Sequence, residues 1–140
     1  MIKSFFINQL GLGKIPVSEQ ASLESEGICF VNEGISGSIT YYHFKSGGKS
    51  FSRKKQGFIG SLIITGKRLI GFGFSKRIIN IPLDHPRFQE LHFQMDRSNA
   101  LSIVYDAHLI NPSQTGTVEI KFRLSTLKGL GDLLDIDTAE

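Results

Sequence analysis

Gly57-Phe58-Ile59-Gly60-Ser61-Leu62-Ile63-Ile64-Thr65-Gly66-Lys67-Arg68-Leu69-Ile70-Gly71-Phe72-Gly73-Phe74 is the stretch whose reading decides the fold. Aromatic and β-branched residues fill both halves, and Gly66-Lys67 interrupts them. The pattern predicts a β-hairpin with strands over 58–65 and 68–74, and glycine at the first loop position predicts a type II′ turn. In the second strand Ile70, Phe72 and Phe74 share one face. Leu69, Gly71 and Gly73 share the other, where the glycines leave room for a second backbone or a helix.

The same two-residue period extends outward from the hairpin. Ile28–Val31 and Ile35–Phe44 read as two strands joined near Asn32-Glu33-Gly34, with Gly37 marking a bulge or a close approach. Residues 45–49 read as a flexible turn. Further strands are expected over 77–83 and 88–95, then around Leu101, Ile103 and Tyr105, and over 118–124. Turns at Asp84-His85-Pro86 and 96–99 and a loop around Asn111-Pro112-Ser113 separate them. Val118, Ile120, Phe122 and Leu124 alternate with Glu119, Lys121 and Arg123, so the first set faces a core and the second faces water. Ser125 is placed to cap a closing helix to about Leu134, with Leu127, Leu130 and Leu134 on one face.

Ahead of the strands, residues 2–10 read as a short helix, and Pro16–Glu26 as another, ended by Gly27. The apolar face of this second helix is thin (Val17, Ala21 and Leu23), so it is expected on the surface. Gly11-Leu12-Gly13-Lys14 lacks phosphate-loop spacing and reads as a linker. The division that follows is a helical segment over 1–26 and a mainly β barrel with its closing helix and acidic tail over 27–140.

A chain of 140 residues is large enough for a core without disulfides, and 15 glycines against 4 prolines suit many tight turns. The single cysteine, Cys29, has no partner for an internal disulfide and reads as a small buried hydrophobe. The first apolar run is too short for a signal peptide, and no stretch reaches membrane-span length, so a soluble cytoplasmic protein is expected.

Seven or eight short antiparallel strands followed by a helix is the element order of the pleckstrin-homology (PH) superfold. Residues 60–72, Gly-Ser-Leu-Ile-Ile-Thr-Gly-Lys-Arg-Leu-Ile-Gly-Phe, resemble the Gly-x-Leu-x-Leu-Thr-x-x-Arg-Leu-Ile-x-Phe hairpin of GRAM and bacterial PH-like domains. The resemblance implies a partly open antiparallel barrel plugged at one end by the last helix. The chain contains no Trp, whereas PH domains usually carry one in that helix, which points to the GRAM-like or bacterial PH-like branch.

Charge supplies the candidate site. No acidic residue occurs between Glu33 and Asp84, an interval holding nine of the sixteen Lys and Arg residues. Asp132, Asp135, Asp137 and Glu140 crowd the other end, so the tail is a candidate competitor for the cations. Lys45, Lys49, Arg53, Lys54 and Lys55, with Lys67 and Arg68 at the hairpin turn, are the residues expected to bind an anion. The resemblance implies lipid headgroups at a membrane surface as the partner, because PH domains grip phosphoinositides with the loop between their first strands. A solvated loop is the plainer alternative.

Nucleic acid is the less favoured anion: Phe44, Phe51 and Phe58 interleave with the cations as a stacking groove would, yet barrel strands need core residues there. A protein partner or self-assembly through a sheet edge is the second function class. His43, His85, His92 and His108 lack metal-ligand spacing, and His85 is expected to cap its turn. No catalytic residue, metal site or cofactor is expected, and the chain reads as a binding module rather than an enzyme.

Overall fold

In the computed structural model, which describes residues 15–134, the quoted hairpin joins the strands β2 (Lys49–Thr65) and β3 (Arg68–Gly73). Its turn is not type II′, since neither Gly66 nor Lys67 takes a positive φ. The Thr65 side chain closes it instead, with Oγ1 accepting from the N–H groups of Lys67 and Arg68, both at 3.1 Å. Space at Gly66 is tight: a Cβ there would stand 3.1 Å from the Glu26 carbonyl oxygen.

That contact comes from the helix α1 (Val17–Glu26), which Gly27 ends at φ +82 with its N–H donating to the Glu24 carbonyl. Only Leu23 of α1 is buried, and Val17 is 74% exposed. Leu23 and Ile15 cover Ile63, Ile70 and Phe72 on the outer face of the hairpin. Both faces of the hairpin are therefore buried, and burial over Ser61–Thr65 and Leu69–Gly73 does not alternate.

The remaining elements are β1 (Ile28–Ser46), β4 (Lys76–Pro82), a 3₁₀ turn (Phe88–Glu90), β5 (His92–Met95), β6 (Ala100–Asp106), α2 (Ala107–Ile110), β7 (Gln114–Arg123) and α3 (Leu130–Leu134). The strands make one antiparallel seven-stranded sheet in the order β4-β3-β2-β1-β7-β6-β5. It is open at β4 and β5, yet it curls around one core. Ile79 and Ile81 of β4 share a cluster with Leu101 and Ile103 of β6, Phe122 of β7, and Leu127, Leu130 and Leu134 at the chain's end. A mainly β, partly open barrel with a C-terminal helix is the architecture observed.

Several boundaries differ from the sequence reading. Residues 28–46 are one strand, because Asn32-Glu33-Gly34 forms a bulge, with Gly34 at φ +67, between the pairs Asn32↔Leu62 and Ile35↔Gly60. The Phe88–Met95 stretch is strand only from His92. A helical turn, α2, precedes the Asn111–Ser113 loop, capped by Asp106 Oδ1 accepting from the His108 N–H at 3.1 Å. Ser125 does not cap the closing helix, which starts at Leu130, after Gly129 takes φ +79. Cys29 is exposed rather than buried.

The close approaches expected at glycines are made by rings. A Cβ at Gly71 would meet the Phe122 ring at 2.8 Å, and one at Gly73 the Phe58 ring at 2.9 Å. Gly37 likewise faces the Phe58 ring and the Lys121 carbonyl. The helix expected over 2–10 and the tail beyond Leu134 lie outside the described residues.

Candidate functional site: the cationic β1–β2 hairpin

The acid-free run forms a second, longer hairpin. β1 and β2 pair continuously from Ile35↔Gly60 to Ser46↔Lys49, closed by the two-residue turn Gly47-Gly48. Lys45 and Lys49 therefore end paired strands and flank a tight turn; they do not ride on a flexible loop. Lys45, Lys49, Arg53, Lys54 and Lys55 are all exposed. None of the five makes an ion pair among the described residues.

Strand geometry divides them between two faces. Arg53 lies on the outer face, its Cζ 6.0 Å from the centroid of the Tyr42 ring, and Tyr42 Oη donates to Glu119 Oε1 at 3.1 Å. On the core side, the Lys54 Nζ sits 4.5 Å from the Phe51 centroid. Phe51 belongs to an aromatic group with Tyr41 and Phe44 whose centroids lie 4.7 to 6.3 Å apart. His43, at φ +50, is the left-handed residue that lets Phe44 turn inward beside Tyr41. Burial pushes the Tyr41 hydroxyl up from its ordinary pKa. Phe44 and Phe58 are core residues and Phe51 packs against them, so the strand offers no row of free rings for stacked bases.

Lys67 and Arg68 stand at the far end of β2 from Lys49. Lys67 is exposed on the turn. Arg68 is held within the molecule: Nε donates to Glu26 Oε1 at 3.1 Å, Nη1 to Asn80 Oδ1 at 3.3 Å and Nη2 to Ser22 Oγ at 3.5 Å. Thr65 Oγ1 donates to the same Glu26 oxygen at 2.7 Å. Burial raises the Glu26 pKa, but the hydrogen bonds from Thr65 and Arg68 and the nearby charges outweigh it, and the net direction is down. Arg77 clamps Glu19 with two 2.8 Å bonds beside this cluster. Arg68 thus fastens α1 to the β2–β3 turn, and the seven predicted residues do not form one patch.

Two cations the sequence reading left as water-facing, Lys121 and Arg123 of β7, line a hollow on the outer face together with Lys55. By register Lys121 lies across β1 from Gly57, and Glu119 lies across it from Lys55. The only signal for the two cations was their alternation with core residues, because pairing between β7 and β1 is not legible from spacing. Among the described residues no three His, Cys, Asp or Glu side chains gather as a metal site. His108 Nδ1 lies 3.1 Å from Asp106 Oδ1, with Nε2 3.5 Å from Arg87 Nη1, so that pair faces a guanidinium rather than a nucleophile. His85 Nδ1 accepts from the Arg87 N–H at 3.0 Å and caps its turn as expected. Among the described residues no helix is long and apolar enough to cross a membrane. Compared with protein-family models, curated proteins and solved structures, the chain matches none.

Proposed function

We propose that the chain is a non-enzymatic PH-like binding module that docks on an anionic membrane surface through the β1–β2 hairpin. One observation carries this reading. Five cations within Lys45–Lys55 stand exposed on a paired hairpin, with no acidic side chain among them. Near anionic headgroups each Lys or Arg contributes about 1 kcal/mol, an attraction that fades within a Debye length. A paired hairpin holds its backbone before contact, so little ordering opposes binding. The seven-strand order and the terminal helix support the PH-like part, and residence in the cytoplasm with recruitment to a membrane periphery goes with it.

Co-sedimentation with phosphatidylcholine vesicles, with and without phosphatidylserine, tests this. Retention on the anionic vesicles is expected, falling as salt rises and falling again in Lys45→Gln/Lys49→Gln/Arg53→Gln. Equal retention on both vesicle types ends the lipid reading.

A second reading, docking of a protein strand, is favoured by one separate feature. β3 pairs with β2 only from Gly60 to Ile64, so among the described residues Lys49–Ile59 of β2 has β1 on one side and no strand on the other. Such an edge accepts an added strand. A fixed monomer in light scattering, with no protection of these amides from hydrogen exchange at high protein concentration, argues against self-assembly through it.

A further inference from the structure

We infer that the outer face of β2-β1-β7 carries a distinct site for a phosphate monoester. A cavity of about 300 Å³ lies there, lined by Ser36, Ser38, Lys55, Gly57, Lys121 and Arg123. Pairing brings these residues together: Ser38 stands opposite Gly57 on one side and Lys121 on the other. On the same face, Lys55 lies two residues before Gly57, level with Thr40, and Arg123 two residues after Lys121, toward Ser36, so the two reach the hollow from opposite ends. The two outer strands run about 10 Å apart, a span that side chains of Lys and Arg length close from both sides.

Gly57 opens the hollow. Its φ is not left-handed, and a Cβ there would meet only the Gly37 carbonyl oxygen, at 3.8 Å. Neither conformation nor crowding demands glycine, so the missing side chain leaves space between three cations.

Those cations have no carboxylate in the lining. Among the described residues two carboxylates stand near the rim, Glu119 across Thr40 from Lys55 and Asp96 close enough to feel the charge of Lys121, and each already accepts hydrogen bonds from other groups. Glu119 accepts from Tyr42, and Asp96 Oδ1 accepts from Ser98 N, Ser98 Oγ and Ala100 N at 2.9, 2.7 and 2.9 Å. Three gathered positive charges with two hydroxyls beside them match a dianion with several acceptor oxygens. The volume suits a compact ligand at the small end of ligand pockets. A phosphate monoester has this chemistry, whether on a soluble metabolite or on a lipid headgroup. The site does not depend on membrane docking by the hairpin tip, since Lys45 and Lys49 do not line it.

Amide chemical-shift titration of the full chain with pyrophosphate, against chloride at equal ionic strength, tests the inference. Saturable shifts at Ser36, Ser38 and Lys121 are expected with pyrophosphate alone. Lys121→Gln/Arg123→Gln weakens binding about tenfold or more, as expected for two lost charge-assisted bonds. Gly57→Leu fills the hollow and removes saturation while the remaining spectrum stays folded. Lys45→Gln/Lys49→Gln leaves the affinity unchanged. In Lys45→Gln/Lys49→Gln, which weakens docking by the hairpin tip, retention on phosphatidic acid vesicles that pyrophosphate displaces assigns the phosphate to a lipid; pyrophosphate binding with no such displaceable retention assigns it to a soluble ester. Unaltered affinity in both cavity variants, or equal shifts with chloride, overturns the site.

Discussion

Asn32 and Ser125, 93 residues apart, exchange two hydrogen bonds: Asn32 Nδ2 donates to Ser125 Oγ at 2.7 Å, and the Ser125 N–H donates to Asn32 Oδ1 at 2.8 Å. Asn32 is buried beside the β1 bulge, and Ser125 follows the end of β7. The pair fixes the path of the chain toward α3. Asn32→Ala strands a backbone N–H and is expected to cost roughly 1–3 kcal/mol. Ser125→Ala keeps that N–H bonded and leaves only the Asn32 Nδ2 donor without its partner, so it should cost less, about 1 kcal/mol. Urea denaturation midpoints of the two variants check the order, and equal losses would refute the backbone role of Asn32.

The fastening of α1 makes stability depend on acid. Hydrogen bonds from Arg77 hold the Glu19 carboxyl below its ordinary pKa, and Thr65 with Arg68 does so for Glu26 against the opposing effect of burial. A carboxyl whose native pKa is depressed stabilises the fold above its unfolded pKa. That contribution is lost as pH falls through the native value. Denaturation midpoints measured from about pH 5 down to about pH 3 should fall more steeply for wild type than for Glu19→Gln/Glu26→Gln. Asp96 and Asp106, also depressed, leave the variant a residual slope.

These particulars show what the sequence made legible. Alternation located Val118, Ile120, Phe122 and Leu124 correctly, since a strand with one buried face must repeat every two residues. The turn at Gly66-Lys67 was visible but its type was not, because Thr65 and the approach of α1 decide it. The β1 bulge and Ser125 escaped for the same reason: each is settled by a partner far along the chain. The cations at 45–55 were plain in the sequence. Their division between two faces, the internal pairing of Arg68, and the meeting of Lys55 with Lys121 and Arg123 depend on register.

Gly57 and Gly60, three residues apart on β2, should respond oppositely to alanine. A Cβ at Gly60 would collide with the Phe72 backbone carbonyl, which belongs to the paired strand and has no flexible end to move aside. Gly60→Ala is expected to cost on the order of 3 kcal/mol or to prevent folding. At Gly57 the nearest atom is 3.8 Å away, and Gly57→Ala should stay within about 0.5 kcal/mol of wild type. Thermal unfolding of both proteins decides it; a large loss at Gly57 would mean its backbone is needed for more than space.

The unpaired edge of β2 gives the cations a task apart from ligand binding. Among the described residues no strand pairs with the second side of residues 49–59, and Arg53, Lys54 and Lys55 stand in the middle of that edge. Like charges brought together by edge-to-edge pairing repel, so long cationic side chains keep such strands apart. Replacing all three with Thr, a residue that favours strands, should leave the barrel folded but promote self-association, seen by light scattering as a rise in mass with concentration. Adding salt to wild type should move it in the same direction by screening the repulsion. A variant that stays monomeric while losing anionic vesicles separates the two roles and assigns the cations to binding. A variant that associates and still binds vesicles assigns them to guarding the edge, and the docking surface must then be sought at Lys45, Lys49 or the remaining cavity cations Lys121 and Arg123.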